Sequence, residues 1–443
     1  MRKRRWAQGV LTILATGTVM AAATETTAAR KAETARRAAL RKAAIATCNS
    51  DEAKVKPYTL PDPLLCFDGR AVREVKTWRD VRRPEILAAF ETNVYGRVPP
   101  LSPRLKCVTR ESDARALNGL ATRRQVELQL FDEPDAPKIL LLMYIPNAAP
   151  KPVPVFLGLS YGNQGISADP AIIPSPETVS TNAQHAHRWP LEMILKRGYA
   201  VATFAGADIE IDYHGSGTDP KKRATGWKLG IRGYAARKAG REEPADDEWG
   251  TLAAWAWGMS RVLDYFSTDP AINAKKVAVF GHSRTGKAAL WAAAKDERFA
   301  LAISNNSGEG GAALSRRWFG ETIAALPDIW FARNYKLFAE NVDALPVDQH
   351  LLIALIAPRP VYVASASKDS WADPRGEFLS ALNAEPAYRL YGLKGVGVSE
   401  MSSPDTPVGS AVRYHVRTGK HDITPYDWEQ YLSFADAYLG EKK

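Results

Sequence analysis

Six short apolar runs, at residues 139–145, 153–159, 200–204, 277–280, 300–303 and 361–364, constrain the fold of this chain more than any other feature. A strand with one face in water alternates apolar and polar residues, whereas an uninterrupted run suits a strand covered on both faces. Helical patterns lie between several of the runs. Residues 191–195 precede the run at 200–204, and Leu252, Trp255, Met259, Val262 and Phe266 form a stripe at helical spacing before the run at 277–280. Strand and helix in alternation predict an α/β architecture: a mainly parallel central sheet with helices on both faces, in three layers. Residues 83–90 read as another helix, with Pro84 in its first turn, and Val126, Leu128 and Leu130 alternate as a half-exposed strand does.

The 443 residues are 45% hydrophobic and 24% charged, a globular balance with material for a large core. Arg2-Lys3-Arg4-Arg5, a short apolar middle and small residues near Ala23 have the anatomy of a secretory leader, predicted over residues 1–24. The apolar part is too short for a membrane span, so the expectation is an exported protein, periplasmic or extracellular, with no stable span after cleavage. Without the leader the formal charge falls from +10 to about +6. Residues 25–57 read as a basic, poorly ordered extension and 58–443 as one catalytic domain, a monomer by default. No nucleic-acid motif accompanies the basic charge, and no nucleic-acid partner is expected. Cys48, Cys66 and Cys107 fit no zinc spacing; one disulfide with one thiol left over, and three free thiols, both remain open. Neither a metal nor a cofactor is expected. His185 and His187 lack a partner pattern for a metal, and Gly308-Glu309-Gly310-Gly311 lacks the lysine of a phosphate loop.

The run at 277–280 leads into Gly281-His282-Ser283-Arg284-Thr285-Gly286-Lys287 and then an alanine-rich helical stretch. A serine on a sharp turn between strand and helix, flanked by glycines, is a nucleophile elbow. It presents its hydroxyl at a helix N-terminus and points to acyl transfer through a serine ester. The usual glycine two residues after the serine is displaced by one, to Gly286. Such a serine needs a base, and the base a carboxylate. His421 sits in a loop between a strand at 412–416 and the helix start Thr424-Pro425-Tyr426-Asp427, and Asp369 follows the run at 361–364. The chain order Ser283, Asp369, His421 is that of α/β-hydrolases.

These residues resemble the glucuronoyl esterases of carbohydrate esterase family 15, bacterial branch. The extended elbow carries the resemblance, with its displaced glycine. So do Ser304-Asn305-Asn306-Ser307-Gly308, Leu345-Pro346-Val347-Asp348-Gln349-His350, Ala357-Pro358-Arg359-Pro360 and Trp371-Ala372-Asp373-Pro374-Arg375. Tyr58-Thr59-Leu60-Pro61-Asp62-Pro63 and Gly419-Lys420-His421-Asp422 extend it to both ends, from about residue 50 to the C-terminus. The resemblance implies an α/β-hydrolase fold and cleavage of the ester between (4-O-methyl-)glucuronic acid of glucuronoxylan and lignin alcohols. It implies an oxyanion role for Arg284, and contacts from Lys287, Glu321 and Trp371 to the sugar hydroxyls. Some members carry the triad acid as a glutamate after the strand that follows the elbow helix. Asn306 stands there in this chain and Glu309 lies nearby, so the expectation rests on Asp369. Two other readings stay open: a different carbohydrate esterase, such as a xylan deacetylase, and an inactive carbohydrate-binding protein.

Overall fold

The computed structural model describes residues 32–33, 35–175, 182–213 and 225–440. The leader expected at 1–24 lies outside them. Contacts divide the chain into Met1–Thr47 and Cys48–Lys443, so the larger unit begins before the Tyr58 start read from the sequence. Within the first unit, residues 35–46 are helical, and Glu33 pairs with Arg36 and Arg37.

The larger unit is built on one sheet. Its strands among the described residues are β1 (Lys106–Ala116), β2 (Ala121–Gln129), β3 (Lys138–Pro146), β4 (Val153–Ser160) and β5 (Ala200–Ala205), then β6 (Ile272–His282), β7 (Leu301–Asn305), β8 (Val361–Ala366), β9 (Val408–Gly409) and β10 (Val412–Arg417). The spatial order is β1-β2-β3-β5-β4-β6-β7-β8-β10-β9. From β5 to β10 neighbours run parallel, and β1, β2, β3 and β9 add antiparallel edges. Each of the six apolar runs falls on a strand, and β5, β7 and β8 are buried along their whole length.

Helices α1 (Arg83–Asn93), α2 (Leu191–Lys196), α3 (Ile231–Lys238), α4 (Thr251–Phe266), α5 (Arg284–Lys295), α6 (Gln349–Ala354), α7 (Pro374–Leu390) and α8 (Pro425–Leu439) surround the sheet. On one face α8 sets Trp428, Tyr431 and Phe434 against Phe156, Phe280 and Tyr362. The Trp428 ring meets Phe280 edge-on at 4.9 Å. Burying each such ring contributes about 1.5–3 kcal/mol, which fixes α8 and the loop before it. On the other face α4 packs on α5, and Gly258 of α4 lies so close to Phe204 and Ile209 that a Cβ would crowd both. The α8 start is as the sequence predicts: Thr424 and Asp427 form a reciprocal capping box with Pro425 in the first turn.

Among the elements that escaped the sequence reading are β1 and α7. Strand β1 is almost wholly exposed, so its polar run Lys-Cys-Val-Thr-Arg-Glu-Ser-Asp carries no apolar signal, as suits an edge strand. Helix α7 contains Pro386, and its apolar periodicity is weak. Cys48, Cys66 and Cys107 are all free thiols. Among the described residues no helix is long and apolar enough to cross a membrane.

Candidate active site

Parallel strands leave their carboxyl ends along one edge of the sheet, where loops can meet. Ser283 follows β6, Asn306 follows β7, Asp369 lies past β8, and His421 lies past β10. The elbow is strained as the motif requires: Ser283 has φ 57° and ψ −130° and caps α5. Its N–H donates to Asn305 O of β7 at 2.9 Å, tying the turn to the sheet. A Cβ on Gly281 would lie 2.1 Å from Thr285 O, so only glycine fits before the turn.

The displaced glycine has a local cause. The Thr285 hydroxyl receives the His282 N–H at 2.9 Å and donates to His282 O at 2.8 Å, bracing the turn from inside. Gly286 then supplies the close approach, since a Cβ there would meet Gly281 O at 3.0 Å and Ser307 Cβ at 3.2 Å.

His421 Nδ1 lies 2.6 Å from Asp369 Oδ2. Facing a carboxylate, Nδ1 carries the proton, which leaves Nε2 as the acceptor. The same Asp369 oxygen accepts a 2.8 Å bond from Asn306 Nδ2. Asn306 therefore serves as a donor that holds the carboxylate, at the place where some family members are expected to carry the acid. The Glu309 carboxylate is not in this group. It is buried and bonded to the Ser315 hydroxyl at 2.6 Å and to the Tyr335 hydroxyl, and burial pushes its pKa up to about 8.

His282, beside Ser283 in the chain, packs its ring 4.4 Å from the ring of His421. Its Nδ1 donates to Asn305 Oδ1 at 2.6 Å, and Asn305 in turn donates to the Tyr431 hydroxyl. Burial first, then the nearby His421 and Arg188, hold His282 well below the usual imidazole range. It is a neutral neighbour for His421. The His421 loop is clamped by Arg417, whose Nη2 donates to Lys420 O at 2.6 Å and Asp422 O at 2.7 Å, the carbonyls on either side of His421. Arg417 Nε in turn pairs with the buried Asp427 at 2.8 Å. Nothing in residue spacing announces this clamp.

Arg284 projects from the first turn of α5 and pairs with Asp212 at 2.7 Å. Its guanidinium lies 4.9 Å over the Tyr161 ring and 5.5 Å over Trp330. Burial works against its charge, but Tyr161 and Asp212 outweigh burial and raise its pKa above the ordinary arginine value. One turn on, Lys287 is buried, donating to Glu309 O at 2.6 Å and pairing with Glu321 at 2.5 Å. The Glu321 N–H donates to Trp371 O at 2.7 Å, and Trp371 lies on the turn that begins at Asp369. The structure thus gathers Lys287, Glu321 and Trp371 beside the elbow. Trp330 spans the two cations, with Lys287 Nζ 5.6 Å from its ring. Sequence reasoning missed Trp330, Tyr161 and Asp212, since nothing in their spacing ties them to the elbow.

His185 and His187 do not converge on a metal site. His187 faces Asp422 at 3.2 Å and His185 stacks edge-on to Tyr161. Among the described residues no cluster of three metal-ligating side chains is present.

The profile of a family described as glucuronyl esterase, fungi, matches residues 244–392. A solved glucuronoyl esterase from Solibacter usitatus is 46% identical, with a TM-score of 0.81; the match spans 88% of this chain and all of that one. A promiscuous family 15 esterase from a marine bacterial metagenome is 43% identical over 88% of this chain and all of its own, with a TM-score of 0.80. The chain belongs to carbohydrate esterase family 15. A carbohydrate esterase from an unknown prokaryotic organism is also 44% identical over 410 residues, 88% of this chain and 92% of that protein. The fold is that of the α/β-hydrolases, and this family 15 member is a carboxylic ester hydrolase acting on glucuronoyl esters.

Proposed function

We propose that this family 15 esterase cleaves the ester joining 4-O-methyl-glucuronic acid of glucuronoxylan to lignin alcohols, through Ser283, His421 and Asp369. The observation that carries the reading is the 2.6 Å His421–Asp369 pair at the strand edge that also holds the strained Ser283. Ser283 Oγ attacks the uronate carbonyl while His421 Nε2 takes its proton. Asp369 keeps Nδ1 protonated and stabilises the imidazolium. Negative charge on the carbonyl oxygen is met by the Arg284 N–H and guanidinium. His421 then gives its proton to the departing alcohol, and in the second half activates water against the acyl-enzyme. Lys287, Glu321 and Trp371 hold the sugar ring, a charged pair beside an aromatic wall. Export by the leader would bring the enzyme to its polymeric substrate.

The promiscuity named for one relative favours a second reading, acetyl-ester hydrolysis on xylan by the same serine. Rates on benzyl glucuronate and on an aryl acetate separate the two. Preference for the uronate ester is expected, and a strong preference for the acetate would sink the uronate claim. A serine-directed phosphonate should label the protein once, and Ser283→Ala should abolish both label and turnover. Failure to label would return the inactive binding protein to contention.

A further inference from the structure

Trp318 stands apart from the other tryptophans among the described residues: it alone is exposed, at 42%. Its backbone sits in the left-handed region, φ 49° and ψ 44°. Glycine adopts that conformation without cost, and a bulky aromatic does not. Neither exposure nor backbone geometry favours a tryptophan here for the sake of the fold.

The strap around it is firmly held. Arg317, on one side, pairs with Asp373 at 2.8 Å and with Glu52 at 2.5 Å. On the other side, Gly320 donates to Asn49 O at 2.7 Å, and a Cβ on Gly320 would lie 2.4 Å from the carbonyl oxygens of Ser370 and Trp371. The strap therefore lies directly on the turn that carries Trp371, and the next residue, Glu321, is bonded to it. Three Cα steps separate Trp318 from Glu321, at most about 11 Å. A sugar ring held at Glu321 and Trp371 leaves the next ring of a polysaccharide within reach of the Trp318 indole. Pyranose rings present an apolar C–H face with hydroxyls around the rim, which suits a rigid, half-wet indole.

We propose that Trp318 is a stacking platform for a pyranose of the polysaccharide adjoining the uronate, a binding subsite outside the Lys287–Glu321–Trp371 cluster. This rests on the uronate-esterase reading. The test compares wild type with Trp318→Ala, Trp318→Phe and Trp318→Gly. The first readout is the ratio of kcat/KM for a uronate ester carried on a xylo-oligosaccharide to that for benzyl glucuronate. Trp318→Ala should lower the ratio about tenfold, while Trp318→Phe should keep most of it. Trp318→Gly should lose the ratio while its melting temperature holds or rises, because glycine relieves the backbone; a structural role would instead lower the melting temperature. An unchanged ratio in Trp318→Ala would overturn the proposal. Should the wild type cleave no uronate ester, the function proposed above fails, and calorimetric titration with xylotriose decides the platform separately. Heat lost in Trp318→Ala but kept in Trp318→Phe supports the subsite, and identical heats refute it.

Discussion

Asp369→Asn tests the proposed relay most sharply, because the surroundings of Asp369 fix what the change can do. Oxygen Oδ2 accepts from both His421 Nδ1 and Asn306 Nδ2. An asparagine that placed its NH2 at that position would meet the Asn306 amide donor to donor. The carbonyl oxygen therefore takes the Oδ2 position, still accepts from His421 Nδ1, and leaves the productive tautomer in place. What is lost is charge. An imidazolium and a carboxylate with centres about 4 Å apart interact by about 4 kcal/mol at an effective dielectric near 20. Losing that support should cut turnover about a thousandfold with little change in KM. Adding Asn306→Ala frees the amide to rotate and donate to His421, imposing the wrong tautomer, and should cost about a further tenfold. Steady-state rates on benzyl glucuronate, with melting curves to confirm folding, give the comparison. A fall of less than about tenfold in Asp369→Asn would refute the reasoning and show that His421 draws its support elsewhere.

Burial pushes Glu377 up to about 8 from 4.5, while its oxygens accept from Ser307 N, Gly308 N and Ser365 Oγ. Between about pH 4.5 and 8 the folded chain keeps a proton that the unfolded chain releases, so stability falls as pH rises through that window. Glu377→Gln, a neutral mimic, should remove up to about 1.4 kcal/mol per pH unit of that slope in denaturant titrations, and an unaltered slope would disprove the assignment. Arg417→Lys cannot span Asp427 and the carbonyls of Lys420 and Asp422 together. Turnover should drop about tenfold at nearly constant KM, and a KM effect alone would contradict the base-loop role. Maleimide should modify exposed Cys48 and Cys107 in the native protein and Cys66 only after unfolding; two thiols or fewer after denaturation would contradict the free-cysteine structure.

The sequence by itself determined the sheet interior and the sharp turn at its edge that carries Ser283. Uninterrupted apolar runs can lie only where both faces are covered, which located β3 to β8. The glycines around Ser283 are legible because the turn tolerates no Cβ, and the capping box at Thr424 announces where α8 and the His421 loop meet. Polar elements were silent, as with β1, whose residues face water and obey no burial pattern. What only the tertiary structure decided is which groups converge. Asn306 became a donor to Asp369, Glu309 turned to Ser315 and Tyr335, Arg417 gripped both sides of His421, and Trp330 came to span Arg284 and Lys287. Periodicity encodes the face on which a residue lies, because that is local. Which groups become partners, whether a few residues apart in one loop or far apart on different strands, is set by how loops and strands fold together, and no periodicity along the chain records it.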